Sequence, residues 1–351
     1  MKVYFARIKN KEQLRDDLGK LFDLAFKGII KKGDSTALKV HFGELGNTTF
    51  VKPFYVGKII EKIKEAGAKP FLTDTNTLYK GHRHNSEEHM KNAMSNGFNT
   101  LNTPIRIADQ VKEIEVDLKF FKKVKIAKQI SEADSIIVSS HMTGHLAVGF
   151  GCALKNISMG CASRAGKQQM HSGSKPKVNQ DKCIACKKCA GVCPENCIAI
   201  NDKAFIDQNK CIGCDECVTV CPTDAIAIMW GELGSSDTQE RVAEYAYGAV
   251  KGKRVGYISF LIDITPDCDC FGQSDKPFVE DIGILASLDP VAIDKAGFDL
   301  VNKAKGVKGT RLKDITAKDK FKDIHGIDST HIFKYAEKIG LGKKDYELIE
   351  I

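Results

Sequence analysis

Residues 35–76, "STALKVHFGELGNTTFVKPFYVGKIIEKIKEAGAKPFLTDTN", decide the fold. The apolar run "STALKVHF" reads as a buried strand, "KPFYVGKIIEKIKEAGA" as an amphipathic helix and "AKPFLTD" as a second buried strand. Two such strands joined through a helix make a crossover unit, the building block of parallel sheets. The alternation continues outward. "KVYFA" precedes the unit and "ADSIIVSS" follows it, and much later come "RVGYISFLID" and "DIGILASL", with helices expected near 237–250, 290–305 and 328–339. Strands this apolar are covered on both faces. The sequence therefore predicts an α/β fold: a three-layer body with a largely parallel sheet.

Bulk properties agree with a large core. The chain has 351 residues, 42% of them hydrophobic, and no low-complexity tract, enough for one large body and a small one. The opening "MKVYFARIKN" meets polar residues before a signal-length apolar stretch develops, and no run approaches the roughly 18 apolar residues of a membrane span. A cytoplasmic protein with no membrane partner is expected. In that setting its 13 cysteines point to metal or redox chemistry rather than to disulfides.

Their spacing makes the point specific. "CIACKKCAGVCP" (183–194) and "CIGCDECVTVCP" (211–222) are each C-x2-C-x2-C-x3-C-P, and they recur as an internal repeat. This is the bacterial ferredoxin run, in which the first three cysteines hold one cluster and the fourth crosses to the other. Cys183, Cys186, Cys189 and Cys221 are expected around one [4Fe-4S] cluster, and Cys211, Cys214, Cys217 and Cys193 around a second. Zinc ribbons use paired C-x2-C knuckles instead. Residues 181–230 resemble the two-cluster bacterial-type ferredoxin domain throughout, including the "CIAI" and "AIAI" tails. The tails align Cys197 with Ala225, so Cys197 reads as a packing residue. About fifty residues build little core, and cluster binding should fold this small α+β module.

Its flanks mark an insertion. "ASRAGKQQMHSGSKPKVNQ" upstream reads as a polar linker, and "GELGSSDTQE" downstream ends in helix-capping residues. The expected organisation is a discontinuous body, 1–176 and 234–351, interrupted by a ferredoxin-like domain at 177–233.

Open α/β sheets bind ligands at the carboxyl ends of their strands. There the sequence places His41, Gly43 and Glu44; Asp74 and Asn76; His141 and His145; Asp263, Asp267, Cys268, Asp269 and Cys270; and Asp289. Asp289 before Pro290 is equally an ordinary helix cap. His141 and His145 would share a helix face, but Gly144 argues for a loop. "GFGCALKN" enters a helix that carries Lys155, a place for a carboxylate or phosphate or else a close-packing turn. In extended backbone Cys268 and Cys270 face one side, so they could ligate a further metal or stand as a redox pair. Neighbouring aspartates disfavour a thiolate there unless a cation offsets them. The candidate catalytic set is Cys268, Cys270, His41, His141 and Lys155, with Cys152 and Cys161 unassigned.

Beyond the cysteine repeat, "ALKVHFGE", "TDTNTLY", "GFGCALKNISMG", "TPDCDCFG", "SLDPVAIDKAG" and the C-terminal "YAEKIGLGKKDYELIEI" resemble the large prokaryotic family of uncharacterised Fe-S centre proteins, a domain of unknown function interrupted by a ferredoxin module. The resemblance covers nearly the whole chain. It implies iron-sulfur clusters and names no reaction.

The net charge of +8 sits outside the ferredoxin-like stretch, which carries five lysines against seven acids. "KKVKIAK" lacks the interleaved aromatics of a single-strand binding face, so nucleic acid is not expected. The excess suits an anionic small-molecule substrate or an acidic redox partner protein. Three functions remain: an oxidoreductase relaying electrons through two clusters to a substrate or metal at the strand ends, an electron carrier that docks a partner, and a metal- or cluster-handling protein.

Overall fold

The computed structural model describes residues 1–79, 81–171, 175–211, 216–226 and 236–351. Eight strands form the main sheet: β1 (Lys2–Arg7), β2 (Ser35–Lys39), β3 (Lys69–Thr75), β4 (Ile105–Ala108), β5 (Ser135–His141), β6 (Arg254–Leu261), β7 (Gly283–Ser287) and β8 (Glu347–Glu350). Their order is β8-β1-β7-β6-β5-β2-β3-β4. The run from β6 through β5, β2 and β3 to β4 is parallel, as is the β1–β8 pair, and only β7 runs against both its neighbours. The six strands expected from the sequence are all present. β4 and β8, four residues each, are edge strands too short to show a pattern.

Strand alternation divides the core in two. Ile136 and Val138 face one side of the sheet, Ile137 the other; Leu285 faces the first, Ile284 and Ala286 the second. Helices α1 (Lys11–Ala25) and α2 (Pro53–Glu65) cover the second face. In α1, Asn10 caps the Gln13 amide at 2.8 Å, and Leu14, Leu18, Leu21 and Phe22 form the buried stripe. In α2, Pro53 opens the first turn and Tyr55, Val56, Ile59, Ile60 and Ile63 point inward. The first face is covered by α3 (Ala153–Ser158), α4 (Arg164–His171), α5 (Ser236–Val250), α6 (Pro290–Lys303) and α7 (His331–Lys338). The body has three layers.

Helix α4 corrects the reading of 162–180 as a polar linker. Ala165, Gly166, Lys167, Gln168 and Met170 are buried. Polar composition hid the helix because Lys167 is satisfied internally, its Nζ donating to Thr75 Oγ1 at 2.5 Å and Ala162 O at 2.8 Å.

The cysteine-rich stretch forms a separate small core. A hairpin of Ile198–Ile200 and Ala204–Ile206 packs with short helices Lys188–Gly191 and Glu216–Val220. Among the described residues that core holds Cys183, Cys189, Cys197, Cys211 and Cys217 with Ile198, Ile206 and Ile226. Lys125 of the body bridges to Glu216 at 2.7 Å. Cys214 lies outside the described residues.

Candidate active site

The chain passes from β2 to β3 and β4 on one side, then returns to place β5 on the other side of β2. Such a switch in direction opens a crevice at the carboxyl ends of the strands. The ends of β2, β3, β5 and β6 all emerge there, around a cavity of about 800 Å³. Its lining includes His41, Glu44, Asp74, His141, His145, Lys155, Cys268, Asp269 and Cys270, all singled out from the sequence. Gly43, Asn76, Asp263 and Asp267 are not in the wall. Asp289 stands at the end of antiparallel β7, elsewhere, and caps α6 by accepting from the Val291 and Ala292 amides at 2.9 Å.

The loop after β6 delivers the thiols. Gly144 packs so closely beneath it that a Cβ would lie 2.0 Å from Pro266 O, and the Gly144 amide donates to Thr265 O at 2.9 Å. Cys268 Sγ then lies 2.7 Å from Cys270 Sγ. Lys155 Nζ is 2.7 Å from Cys268 Sγ and 3.9 Å from Cys270 Sγ, and His41 Nε2 is 3.4 Å from Cys270 Sγ. Lys155 is the cation that the adjacent aspartates require. The hydrogen bond from Cys268 holds the Cys270 thiol well below its ordinary value despite burial, with Lys155 and His41 adding to the effect. The same bond, together with burial, pushes Cys268 well above it. Burial would lower Lys155, but the two sulfurs raise it. Lys155 and the two sulfurs form one buried charged cluster, with the ammonium nearest Cys268 and within reach of Cys270. His41, Cys268 and Cys270 each offer a ligand atom within 4.8 Å of the others, a set that could take a metal ion.

The remaining histidines play other parts. His141 Nδ1 contacts Asp269 Oδ2 at 2.8 Å and its Nε2 contacts Ile262 O at 2.7 Å, so both nitrogens hold the loop in place. Burial opposes protonation of His141, yet Asp269 raises it above its ordinary value. His145 accepts from the Ala147 amide at 3.2 Å, and burial holds it well below its usual range. These two do not form a joint metal site.

The α3 terminus is also spoken for. Asp294 takes the Ala153 and Leu154 amides, both at 2.8 Å, so the first turn that the sequence offered to an anion is filled by a carboxylate of the chain itself. Of that motif Gly151, Cys152, Lys155 and Asn156 line the cavity, and Lys155 alone among them brings a charge.

Three charged residues in or behind the wall escaped the sequence reading. Arg83 is buried, its Nε on Glu44 Oε2 at 3.0 Å, its Nη2 on the Tyr79 hydroxyl at 2.7 Å and its Nη1 2.9 Å from His41 Nε2. The loop "YKGHRH" after β3 was its signal. Lys39 of β2, in the floor behind that wall, pairs with Asp74 at 2.8 Å, both side chains buried; a lone lysine inside an apolar strand could have revealed it. Burial would raise Asp74, but Lys39 and then the nearby His89, His41 and Arg83 bring it below the ordinary range. Lys167 had no readable signal, and burial lowers it to about 7.

The small module has its own cavity, lined by Cys183, Cys186, Cys189 and Cys221 among others. Ala185 and Lys187 turn the loop with φ of 53° and 64°, a left-handed strain that non-glycine residues carry at built sites. The amides of Ala204 and Ile226 point at Cys183 Sγ and Cys221 Sγ, at 3.3 and 3.4 Å. Cys193 Sγ lies 3.3 Å from Cys197 Sγ.

Residues 36–299 match the family described as Domain of unknown function (DUF362). The chain belongs to that family. The matched range includes the cysteine-rich stretch. Among solved structures, the DUF362 chain is similar to the lactate racemase apoprotein from Thermoanaerobacterium thermosaccharolyticum, at 14% identity, TM-score 0.40, over 74% of this chain and 51% of that one. It is also similar to a protein from Thermotoga maritima, at 9% identity, TM-score 0.37, over 72% of this chain and 50% of that one. The chain spans about half the length of these structures. No curated protein matches it. Among the described residues, no helix is long and apolar enough to cross a membrane.

Proposed function

We propose that this protein is an iron-sulfur oxidoreductase that relays electrons through two [4Fe-4S] clusters to a substrate held at the strand ends of the α/β body. The observation that carries the reading is the cavity where Cys183, Cys186 and Cys189 meet Cys221, the set that the crossed ligand pattern of the doubled motif requires. The residues fit the group: four sulfurs around one space, with backbone amides directed at two of them. Cys193, Cys211, Cys214 and Cys217 would hold the second cluster. When bound, such clusters supply single electrons at low potential.

In the body, the Cys268 hydrogen bond, Lys155 and His41 favour a thiolate on Cys270, and Arg83 contacts His41 and Glu44. Lys155 on the wall suits an anionic small molecule, with a redox protein as the external electron partner. A carrier that only docked a partner would need no such cavity. A second reading, a third metal centre, draws on the convergence of His41, Cys268 and Cys270.

Metal analysis and electron paramagnetic resonance of anaerobically purified protein test the proposal. About eight irons per chain and two reducible clusters are expected; a protein loaded with zinc and lacking iron sinks it. Reoxidation of the dithionite-reduced protein by small anionic oxidants should slow in the Cys268→Ser, Cys270→Ser double variant at unchanged iron content. An equal rate would make the protein a carrier.

A further inference from the structure

We propose that Cys268 and Cys270 form a dithiol–disulfide couple that exchanges two electrons with a small, anionic disulfide bound in the strand-end cavity. This names a substrate class for the site above and rests on the oxidoreductase reading only for the onward path of the electrons.

The geometry separates this role from metal binding. The two sulfurs lie 2.7 Å apart. A disulfide bond is about 2.05 Å long, so closing it moves the sulfurs by about 0.7 Å. Two thiolates on a tetrahedral metal, with bonds of about 2.3 Å, stand about 3.7 Å apart and would have to move the other way. Both ring nitrogens of His41 already face donors that a metal would have to displace: the Gly43 amide faces Nδ1 at 3.0 Å and Arg83 Nη1 faces Nε2 at 2.9 Å. Both are obligate donors, and a neutral imidazole accepts from only one. The ammonium of Lys155, 2.7 Å from Cys268 Sγ, already supplies the positive charge that an ion would bring.

The pair is also asymmetric in reach. Cys268 is buried and Cys270 half-buried, and both line the cavity. A space of about 800 Å³ admits a small molecule and excludes a folded protein. Cys270 is therefore the attacking sulfur and Cys268 the resolving one. In the first step the Cys270 thiolate attacks one sulfur of the ligand; a mixed disulfide forms, the ligand's S–S bond breaks, and the first half leaves as a thiolate that takes the Cys268 proton. In the second, Cys268 attacks Cys270 Sγ, the internal bond forms, the mixed bond breaks, and the second half leaves as a thiolate. Two electrons and one proton pass to the ligand halves, which depart as one thiol and one thiolate. A small dithiol reverses the sequence. Lys155 is a positioning residue that keeps the thiolate in place throughout.

The test uses the full, cluster-loaded chain under anaerobic conditions, with oxidised glutathione as the probe, alkylation of the remaining thiols and peptide mass spectrometry. The expected result is an internal Cys268–Cys270 disulfide, formed with one equivalent of probe and restored to alkylatable thiols by dithiothreitol. Cys268→Ser should instead accumulate glutathione on Cys270, while Cys270→Ser leaves Cys268 unmodified. An unreacted pair in the wild-type protein would overturn the proposal. So would adducts on both cysteines without the internal bond, or a further metal in the purified protein that both single variants lose. Iron content and visible absorbance, recorded alongside, separate the two readings: intact clusters without exchange remove the couple alone, and exchange in a protein that never holds iron removes the relay alone.

Discussion

Two sets of thiols in this protein sit in opposite surroundings. Around Cys183, Cys186, Cys189 and Cys221 the nearest polar partners are backbone amides, those of Ala204 and Ile226, and the loop is strained into place at Ala185 and Lys187. Around Cys268 and Cys270 they are charged or ionisable side chains, Lys155 and His41, backed by Arg83, Glu44 and Asp269. Amides disperse charge without offering a proton acceptor, which suits sulfurs that stay bound. Side-chain charges shift pKa values and hold a proton to be moved, which suits sulfurs that react. Cys183 and Cys189 belong to the small core of their module, whereas Cys268 and Cys270 lie outside the two large apolar clusters of the body.

The largest expected effect follows from that difference. Stripping iron with a chelator should abolish hydrogen-exchange protection across 177–226 and leave β2, β5 and β6 protected, because the small core cannot pay its ordering entropy without the metal. Protection persisting in both regions would show that the module folds on its own. Excising 177–233 with a short flexible bridge should likewise leave a folded body, and an insoluble product would make the module part of the core.

Next in size, Cys193→Ala should remove roughly half the iron, from the cluster with Cys211, Cys214 and Cys217, since the fourth ligand crosses over. Spectra that instead lose the 183–189 cluster would break the crossed assignment. Lys155→Met should act on the other set alone: the pH at which alkylation of Cys270 becomes fast should move upward as the cation beside the sulfurs is lost, with iron unchanged. A normal rate would mean that His41 and the Cys268 bond suffice.

Lys167 adds a pH signature to the body. Burial lowers it from 10.5 to about 7. Between these values the unfolded chain binds a proton that the folded chain does not, so the stability this group contributes is present above 10.5 and is lost as pH falls through the window to about 7. The slope is at most about 1.4 kcal/mol per pH unit. Denaturation midpoints of Lys167→Met should lack this slope, and an unchanged slope would place its source elsewhere. The smallest effect is a control: Asp289→Ala should cost about 1 kcal/mol through the lost helix cap and leave Cys270 reactivity untouched. A change in that reactivity would return Asp289 to the site.

Much of this was legible in the chain because it is written locally. The strands β1, β2, β3, β5, β6 and β7 announce themselves through apolar runs, and the cysteine motif through its spacing, since both depend on neighbours a few residues away. The strand-end rule then gathered His41, His141 and the two cysteines, because parallel strands bring their carboxyl ends to one side. What stayed hidden depends on distance along the chain. Lys155 meets Cys268 across 113 residues and His41 meets Cys270 across 229, and no periodicity records such a meeting. Helix α4 passed for a linker because its polar atoms find partners only after folding, and Asp294 filled the α3 terminus from a helix far downstream. The sequence determined which residues could do chemistry and on which elements they sit. Tertiary structure decided their partners, and so the direction in which each of two neighbouring sulfurs is shifted, because that depends on charges only the folded chain brings within bonding distance.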